Sequence, residues 1–154
     1  MSRIKAGLLA LLIILLAIQL IQPARNYNGQ AVNEDISKIS RVPEQVQGIL
    51  KKSCYDCHSN QTEYPWYTYI QPVGLWMNSH IREGEEELNF SEFAAYSKRR
   101  QLSKLKSIGE SIQDGKMPLS SYTFIHQNAR LSENEKALIL DWVKNTRDSL
   151  SLNH

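Results

Sequence analysis

The sequence predicts an all-α fold in which several short helices follow one apolar helix at the N-terminus. Apolar residues recur at intervals of three and four in several segments, which is the pattern of a helix with one buried face. Serine, proline and glycine residues stand where such helices begin and end. We find no segment with the strict apolar–polar alternation that is typical of a half-buried strand.

Residues 1–25 form the first predicted element, a transmembrane helix that anchors the chain. Two cations precede an apolar run over residues 6–21 that only Gln19 interrupts. A helix of that length spans about 24 Å, which is short of the ~30 Å hydrocarbon core but workable with local thinning. The alanines near the end of the segment lack the spacing of a signal-peptidase site, so we expect an uncleaved anchor instead of a removed signal peptide. The cations place the N-terminus in the cytoplasm and the remaining chain on the other side.

Residues 26–40 are polar and lack periodicity, so we interpret them as a tether to a domain at residues 41–154. The first helix of that domain is predicted over residues 42–58. Pro43 suits its first turn, where the missing N–H costs no hydrogen bond. The predicted buried face of this helix consists of Val46, Ile49, Leu50 and Cys54.

Two stretches rich in proline and aromatic residues are predicted to be ordered, irregular loops, at residues 60–73 and 116–130. Loops of this length are uncommon in a compact domain unless something organises them, and a bound cofactor would do so.

Three more helices are predicted around these loops. The first covers residues 74–88. The second covers residues 92–115, with Ser91 as its cap and Gly115 at its end. The last helix opens with a capping box formed by Ser132 and Glu135. The residues predicted to face inward from the first of these helices are Leu75, Trp76, Ser79 and His80.

Length and charge narrow the class of protein. The chain has 154 residues, of which 42% are hydrophobic, and this is enough for the core of one domain. Its net charge is +2, and Arg3 and Lys5 account for that excess. No strong positive field predicts a nucleic-acid partner.

Both cysteines of the chain lie in SCYDCHSN, residues 53–60, where His58 directly follows Cys57. A thioredoxin-type dithiol sits at a helix N-terminus after a buried strand, whereas this pair follows a predicted helix. A zinc site needs four ligands, and no second C-x-x-C is present. A structural disulfide would leave the histidine unexplained. Covalent haem attachment explains all three residues, because thioether bonds to Cys54 and Cys57 bring His58 to the iron as its proximal ligand.

Four segments carry a resemblance to a known family: QLIQPARN, CYDCHSNQTEYPWYTYIQPV, HIREGEEELNFSEF and MPLSSYTFIHQNARLSENEK. In this order, and over nearly the whole chain, they resemble the haem-binding domain family of small bacterial, membrane-anchored, c-type cytochrome-like proteins. The resemblance implies a cytochrome c-like helical domain around one covalently bound haem c. Covalent attachment in bacteria takes place outside the inner membrane. Together with the anchor, this predicts a single-pass inner-membrane protein whose haem domain faces the periplasm.

The distal iron ligand is predicted to be Met117. It follows a glycine that ends a helix and precedes Pro118, which favours an extended backbone at Met117. It also matches the Met-Pro of the family. A thioether in an ordered loop far downstream of C-x-x-C-H is the arrangement that c-type cytochromes use, and it raises the reduction potential. His126 and His80 are the alternatives, whereas Met77 is expected to be ordinary core.

These residues predict an electron-transfer cytochrome that works with an unidentified redox partner protein. The alternative is a haem enzyme of the peroxidase type, or a gas or redox sensor, with an open or displaceable distal site. A haem-free thiol protein is the third hypothesis. We find no convincing distal arginine–histidine pair of the peroxidase type, and this favours the electron carrier.

Overall fold

The structure, a computed structural model, describes residues 2–27 and 34–152. Within these ranges the regular elements are helices, apart from an isolated bridge between Tyr27 and Gln61. The prediction of an all-α fold is therefore confirmed. The α-helices of the described residues are α1 (Arg3–Ile18), α2 (Glu44–Ser53), α3 (Tyr55–His58), α4 (Val73–Glu87), α5 (Lys98–Gln113), α6 (Ser120–Ile125) and α7 (Glu133–Leu152). Short 3₁₀ helices cover Ile36–Lys38, Trp66–Tyr69, Phe90–Ala95 and Gln127–Ala129.

Helix α1 covers only part of the apolar run at residues 6–21, because it begins at Arg3 and ends at Ile18. The side chain of the next residue, Gln19, donates to the carbonyl of Gln71 at 3.1 Å and accepts from the N–H of Gln71 at 2.9 Å. Within the part of the chain that the structure describes, no helix has both the length and the apolar content needed to cross a membrane. The predicted transmembrane helix is therefore wrong, and so is the predicted single-pass inner-membrane location with a periplasmic haem domain.

The segment that follows α1 is attached to the domain by several contacts. The Arg25 guanidinium donates to the hydroxyl and the carbonyl of Thr68, both at 3.2 Å. The same guanidinium lies 4.5 Å and 4.1 Å from the ring centres of Tyr64 and Tyr69. Asn26 is buried, and its backbone N–H donates to the Tyr64 hydroxyl at 2.9 Å. The block QLIQPARN thus holds the 64–71 segment in place.

The segment interpreted as a tether is described only in part, because residues 28–33 lie outside the described ranges. Its described portion reaches the core, since Ile36 is fully buried. Asp35 caps the short 3₁₀ helix there by accepting from the N–H of Ser37 at 2.9 Å. The division of the chain at residues 25 and 40 stays a prediction.

The helix predicted over residues 42–58 is interrupted at Cys54. Helix α2 begins directly after Pro43 and buries Val46, Ile49 and Leu50, as the periodicity predicts. At Cys54 the backbone φ is −130°, which is outside the helical range. Helix α3 then makes a single turn, closed by a 3.0 Å hydrogen bond from the N–H of His58 to the carbonyl of Cys54. The two cysteines therefore flank the start of a new helical turn.

The apolar core lies where α2, α5 and α7 meet. Its fully buried members include Leu50 from α2, Leu105 from α5 and Ile139 from α7. The 3₁₀ helix Phe90–Ala95 adds Phe90 and Phe93, which are also fully buried. Helix α3 joins this core through Tyr55, and α4 packs against α3 and the 3₁₀ helix Trp66–Tyr69.

Two of the predicted helix boundaries are confirmed. Gly115 ends α5 with a φ of 66°, a left-handed conformation that favours glycine. The capping box before α7 forms as predicted: the N–H of Ser132 donates to Glu135 at 2.9 Å, and the N–H of Glu135 donates to the Ser132 hydroxyl at 3.3 Å. Both signals act within one helical turn and so depend little on the rest of the fold.

Two other boundaries differ from the prediction. Helix α5 begins at Lys98 with Ser97 as its cap, because the predicted cap Ser91 is fully buried and its hydroxyl accepts from the N–H of Asn60 at 3.2 Å. The loop predicted over residues 116–130 contains α6 and a 3₁₀ helix.

Helix α4 turns a different face inward from the predicted one. Met77 and Ile81 are buried, whereas Trp76 is 46% exposed. The inward-facing stripe begins at Gly74, which is buried, and ends at Gly84, which is half-buried. A Cβ at Gly74 would lie 2.8 Å from Nε2 of Gln71, and closer still to a backbone oxygen of the preceding 3₁₀ helix. The helix is thus oriented by two close backbone approaches, which a count of apolar residues does not detect.

Candidate functional site

The imidazole of His58 is held by the C-terminal end of α4. Its Nδ1 lies 2.8 Å from the carbonyl oxygen of Gly84 and 3.0 Å from that of Leu88. Because both neighbours are acceptors, Nδ1 carries the proton and Nε2 keeps its lone pair. Nε2 has no hydrogen-bond partner among the described residues. A histidine fixed in this tautomer is suited to bind a metal through Nε2.

Gly84 allows α3 to lie directly against α4. A Cβ at this position would be 3.1 Å from the Cβ of Cys57 and closer still to the Cys57 carbonyl oxygen. The same residue therefore accepts the His58 hydrogen bond and leaves room for the C-x-x-C-H turn. The sequence analysis missed this role, although an isolated glycine inside a helical pattern is a signal for close packing.

A cavity of about 300 Å³ lies between α3, α4 and the segment that follows α5. Five of the six predicted cofactor-binding residues line it: Cys54, Cys57, His58, His80 and Met117. Met117 is 38% exposed and lies at its rim. The chain thus brings residues that are up to 63 positions apart in the sequence to one cavity.

The two thiols lie in surroundings that disfavour the thiolate. Burial raises the pKa of Cys54 to about 12, and burial together with the nearby Asp56 carboxylate raises the pKa of Cys57 to about 12. Reactive redox dithiols have the opposite property, a lowered thiol pKa. Among the described residues, no group of three His, Cys, Asp or Glu side chains is arranged to hold a metal ion by itself. Neither the dithiol hypothesis nor the zinc hypothesis gains support from this geometry.

The two alternative histidines differ in their surroundings. His80 lines the cavity, and its Nδ1 lies 3.0 Å from the carbonyl oxygen of Trp76 one turn earlier. His126 lies outside this cavity and lines a smaller, adjoining one of about 40 Å³. Its Nε2 is 2.8 Å from the Tyr67 hydroxyl, and its Nδ1 is buried without a hydrogen-bond partner among the described residues. Met77 is buried within α4 and lines the same small cavity.

Tyr122 and Asp56 form a contact at the cavity that the sequence analysis did not find. The Tyr122 hydroxyl donates to the Asp56 carboxylate at 2.6 Å, across 66 positions of sequence. Burial raises the pKa of Tyr122, and the bond to Asp56 raises it further, so the phenol stays protonated and able to donate. Asp56 also accepts from the N–H of Glu63 at 3.1 Å. No local pattern in the sequence pairs these residues.

The donor set around the cavity fits a haem group of the c type. Such a group needs two thiols for its vinyl carbons and an axial imidazole, and it often takes a thioether as its second axial ligand. Here two cysteines, a histidine with a free Nε2 and a methionine line one cavity.

Comparisons with known proteins indicate that the chain binds haem. A family model described as a haem-binding domain matches residues 13–145. The chain is similar to cytochrome c peroxidase Ccp of Escherichia coli strain K12, with 28% identity over 125 residues. That match covers 79% of this chain and 27% of the relative, so the chain spans about a quarter of the relative's length. No solved structure matches the chain.

The family match extends over most of the chain and includes every residue that lines the cavity. It supports haem as the cofactor independently of the donor geometry. The chain therefore belongs to the haem-binding domain family.

Proposed function

We propose that this chain carries one covalently attached haem c, with thioether bonds to Cys54 and Cys57. His58 is the proximal iron ligand and Met117 is the distal one. The observation that supports this most is the pair of hydrogen bonds from Nδ1 of His58 to backbone carbonyls, at 2.8 and 3.0 Å. They leave Nε2 free in the cavity that the two cysteines and Met117 also line.

Met117 is preferred over the two histidines for reasons of placement. His126 does not line the cavity of His58, and its ring is held by the Tyr67 hydroxyl at 2.8 Å from Nε2. His80 lines the same cavity as His58, but it is on α4, the helix that already holds His58. Met117 approaches from the segment after α5, so it can face the proximal histidine across the cavity.

We propose electron transfer, together with an unidentified redox partner protein, as the function. Haem supplies one-electron redox chemistry when it is bound. Two protein ligands on the iron would leave no free position for a substrate. His58 is oriented by α4, and an axial thioether favours the reduced state.

Covalent attachment is tested with the full chain, fused behind a cleavable export signal and expressed with the bacterial c-type maturation factors. A denaturing gel stained for haem should show a band for the wild type. Cys54→Ser and Cys57→Ser should each lower the yield of haem-bearing protein, and the double variant should abolish the band. Ser53→Ala, which changes a neighbouring residue, is the control. A chain that stays free of covalent haem under these conditions would overturn the proposal.

The distal ligand is tested by the absorption spectrum of the haem-bearing protein. Met117→Ala should remove the weak band at the red end of the visible spectrum that accompanies thioether ligation, and should open the ferrous iron to carbon monoxide. Met77→Ala is the matched control, because Met77 is buried in α4 and does not line the cavity of His58. If His80→Ala or His126→Ala removes the low-spin character while Met117→Ala leaves it, the site is bis-histidine.

A haem peroxidase is the second candidate, and it is supported by the printed name of the relative, cytochrome c peroxidase. It requires a distal side that is open or that opens readily, and Met117 is 38% exposed. Turnover of hydrogen peroxide by the wild-type protein, together with carbon monoxide binding that Met117→Ala does not increase, would favour the enzyme over the electron carrier.

A further inference from the structure

The hydrogen bond between Tyr122 and Asp56 joins the two sides of the cavity. Asp56 lies inside the C-x-x-C-H turn, next to Cys57. Tyr122 lies in α6, the helix that begins shortly after Met117. The 2.6 Å bond from the Tyr122 hydroxyl to a carboxylate oxygen of Asp56 therefore connects two parts of the site. One is the segment at residues 117–122, which contains Met117, and the other is the C-x-x-C-H turn, which carries His58.

Helix α6 has few other attachments to the domain. None of its residues is buried, and Phe124 and Ile125 are more than half exposed. In the described residues, three side-chain hydrogen bonds tie α6 and its C-terminal cap to the rest of the fold. They are Tyr122 to Asp56, the contact of His126 with Tyr67, and the bond from Arg130 to the carbonyl of Thr123. Of these three, only the first reaches the turn that bears the cysteines.

We propose that Tyr122 is a positioning residue, which holds Met117 over the iron through its hydrogen bond to Asp56. This inference rests on the proposed function, because it requires Met117 as the distal ligand. A hydrogen bond to a charged acceptor is about twice as strong as one between neutral groups. The hydrogen bond between Tyr122 and Asp56 sets how closely the segment that contains Met117 approaches the C-x-x-C-H turn. It therefore sets how often the Met117 thioether dissociates from the iron.

The test uses the haem-bearing full chain with Tyr122→Phe, which keeps the ring against His126 and removes only the hydroxyl. Carbon monoxide affinity of the ferrous protein should rise roughly tenfold to a hundredfold, the factor that corresponds to the loss of one charge-assisted hydrogen bond. The thioether band should weaken in the ferric protein. Tyr96→Phe is the matched control, because it removes a hydroxyl that accepts from the N–H of Asn89 at 3.0 Å and does not line the cavity.

Asp56→Asn provides a second, independent arm. The amide oxygen can still accept from Tyr122, but the charge is lost, so the rise in carbon monoxide affinity should be smaller than for Tyr122→Phe. The double variant should resemble Tyr122→Phe alone, because residues that act through one bond are not additive.

The outcomes separate this inference from the proposed function. If Met117→Ala raises carbon monoxide affinity and Tyr122→Phe does not, the positioning role is overturned and the methionine ligand stands. If Tyr96→Phe has the same effect as Tyr122→Phe, the effect is a general loss of stability and the role is again overturned. If Met117→Ala leaves ligation unchanged, the proposed ligand is wrong and the positioning role falls with it.

Discussion

Replacement of Gly84 by alanine tests the close approach of α3 and α4. The new Cβ would lie 3.1 Å from the Cβ of Cys57 and closer still to its carbonyl oxygen, which is backbone and cannot rotate away. The helices must separate by roughly 1 Å to restore van der Waals contacts of about 3.5–4.0 Å. Such overpacking costs about 1–3 kcal/mol. The shift also weakens the His58 hydrogen bond to Gly84, which adds about 1 kcal/mol.

The gain in helix propensity from Gly to Ala offsets about 1 kcal/mol of this cost. We therefore expect Gly84→Ala to lower the free energy of unfolding by about 1–3 kcal/mol, measured by urea denaturation of the apoprotein. The matched control is Gly48→Ala in α2, where a Cβ meets nothing within 4 Å. It should stabilise the chain by about 0.5–1 kcal/mol. Equal stabilisation by both substitutions would refute the close approach at Gly84.

Three further predictions concern stability. Hydrogen bonds from Lys52 and from the Ser132 N–H lower the pKa of Glu135 to about 2. The ionised carboxylate therefore stabilises the folded state at pH values above its unfolded pKa near 4.5. This contribution is lost as the pH falls towards 2. Glu135→Gln should lower the free energy of unfolding by up to about 1 kcal/mol at pH 7 and by less at pH 3, as measured by urea denaturation at both pH values. An equal loss at both pH values would contradict this role of Glu135. Arg25→Met should cost about 1–3 kcal/mol, because it removes two hydrogen bonds to the 3₁₀ helix and contacts with two tyrosine rings. An unchanged urea midpoint would show that these contacts contribute nothing. Leu50→Ala should cost about 2–5 kcal/mol, since Leu50 is fully buried, and a cost below 1 kcal/mol would place it outside the core.

The parts of the fold that the sequence predicts well are those set by neighbouring residues. The capping box at Ser132 and the end of α5 at Gly115 form as expected, because each depends on a few consecutive residues. The buried face of α2 also follows its periodicity. By contrast, Ser91 resembles a helix cap in the sequence, but its hydroxyl accepts a long-range hydrogen bond from the N–H of Asn60.

The predicted membrane helix shows a different limit. The prediction rests on the composition of the apolar run, whereas the position of α1 depends on where the helix ends. The residue after α1, Gln19, forms two hydrogen bonds with the backbone of Gln71, which is 52 positions away in the sequence. Hydropathy along the chain contains no information about that partner.

For the candidate site, the sequence by itself determined the chemical groups: the cysteine pair, the histidine that follows it and a methionine before a proline. Their spacing is local, so it can be interpreted without a fold. Only the tertiary structure decided which groups meet. It places His80 and Met117 in the cavity and leaves His126 outside, it uses Gly84 to bring α3 against α4, and it pairs Tyr122 with Asp56. These contacts join residues that are between 22 and 66 positions apart in the sequence. The packing of helices brings such residues together, and no single segment specifies that packing.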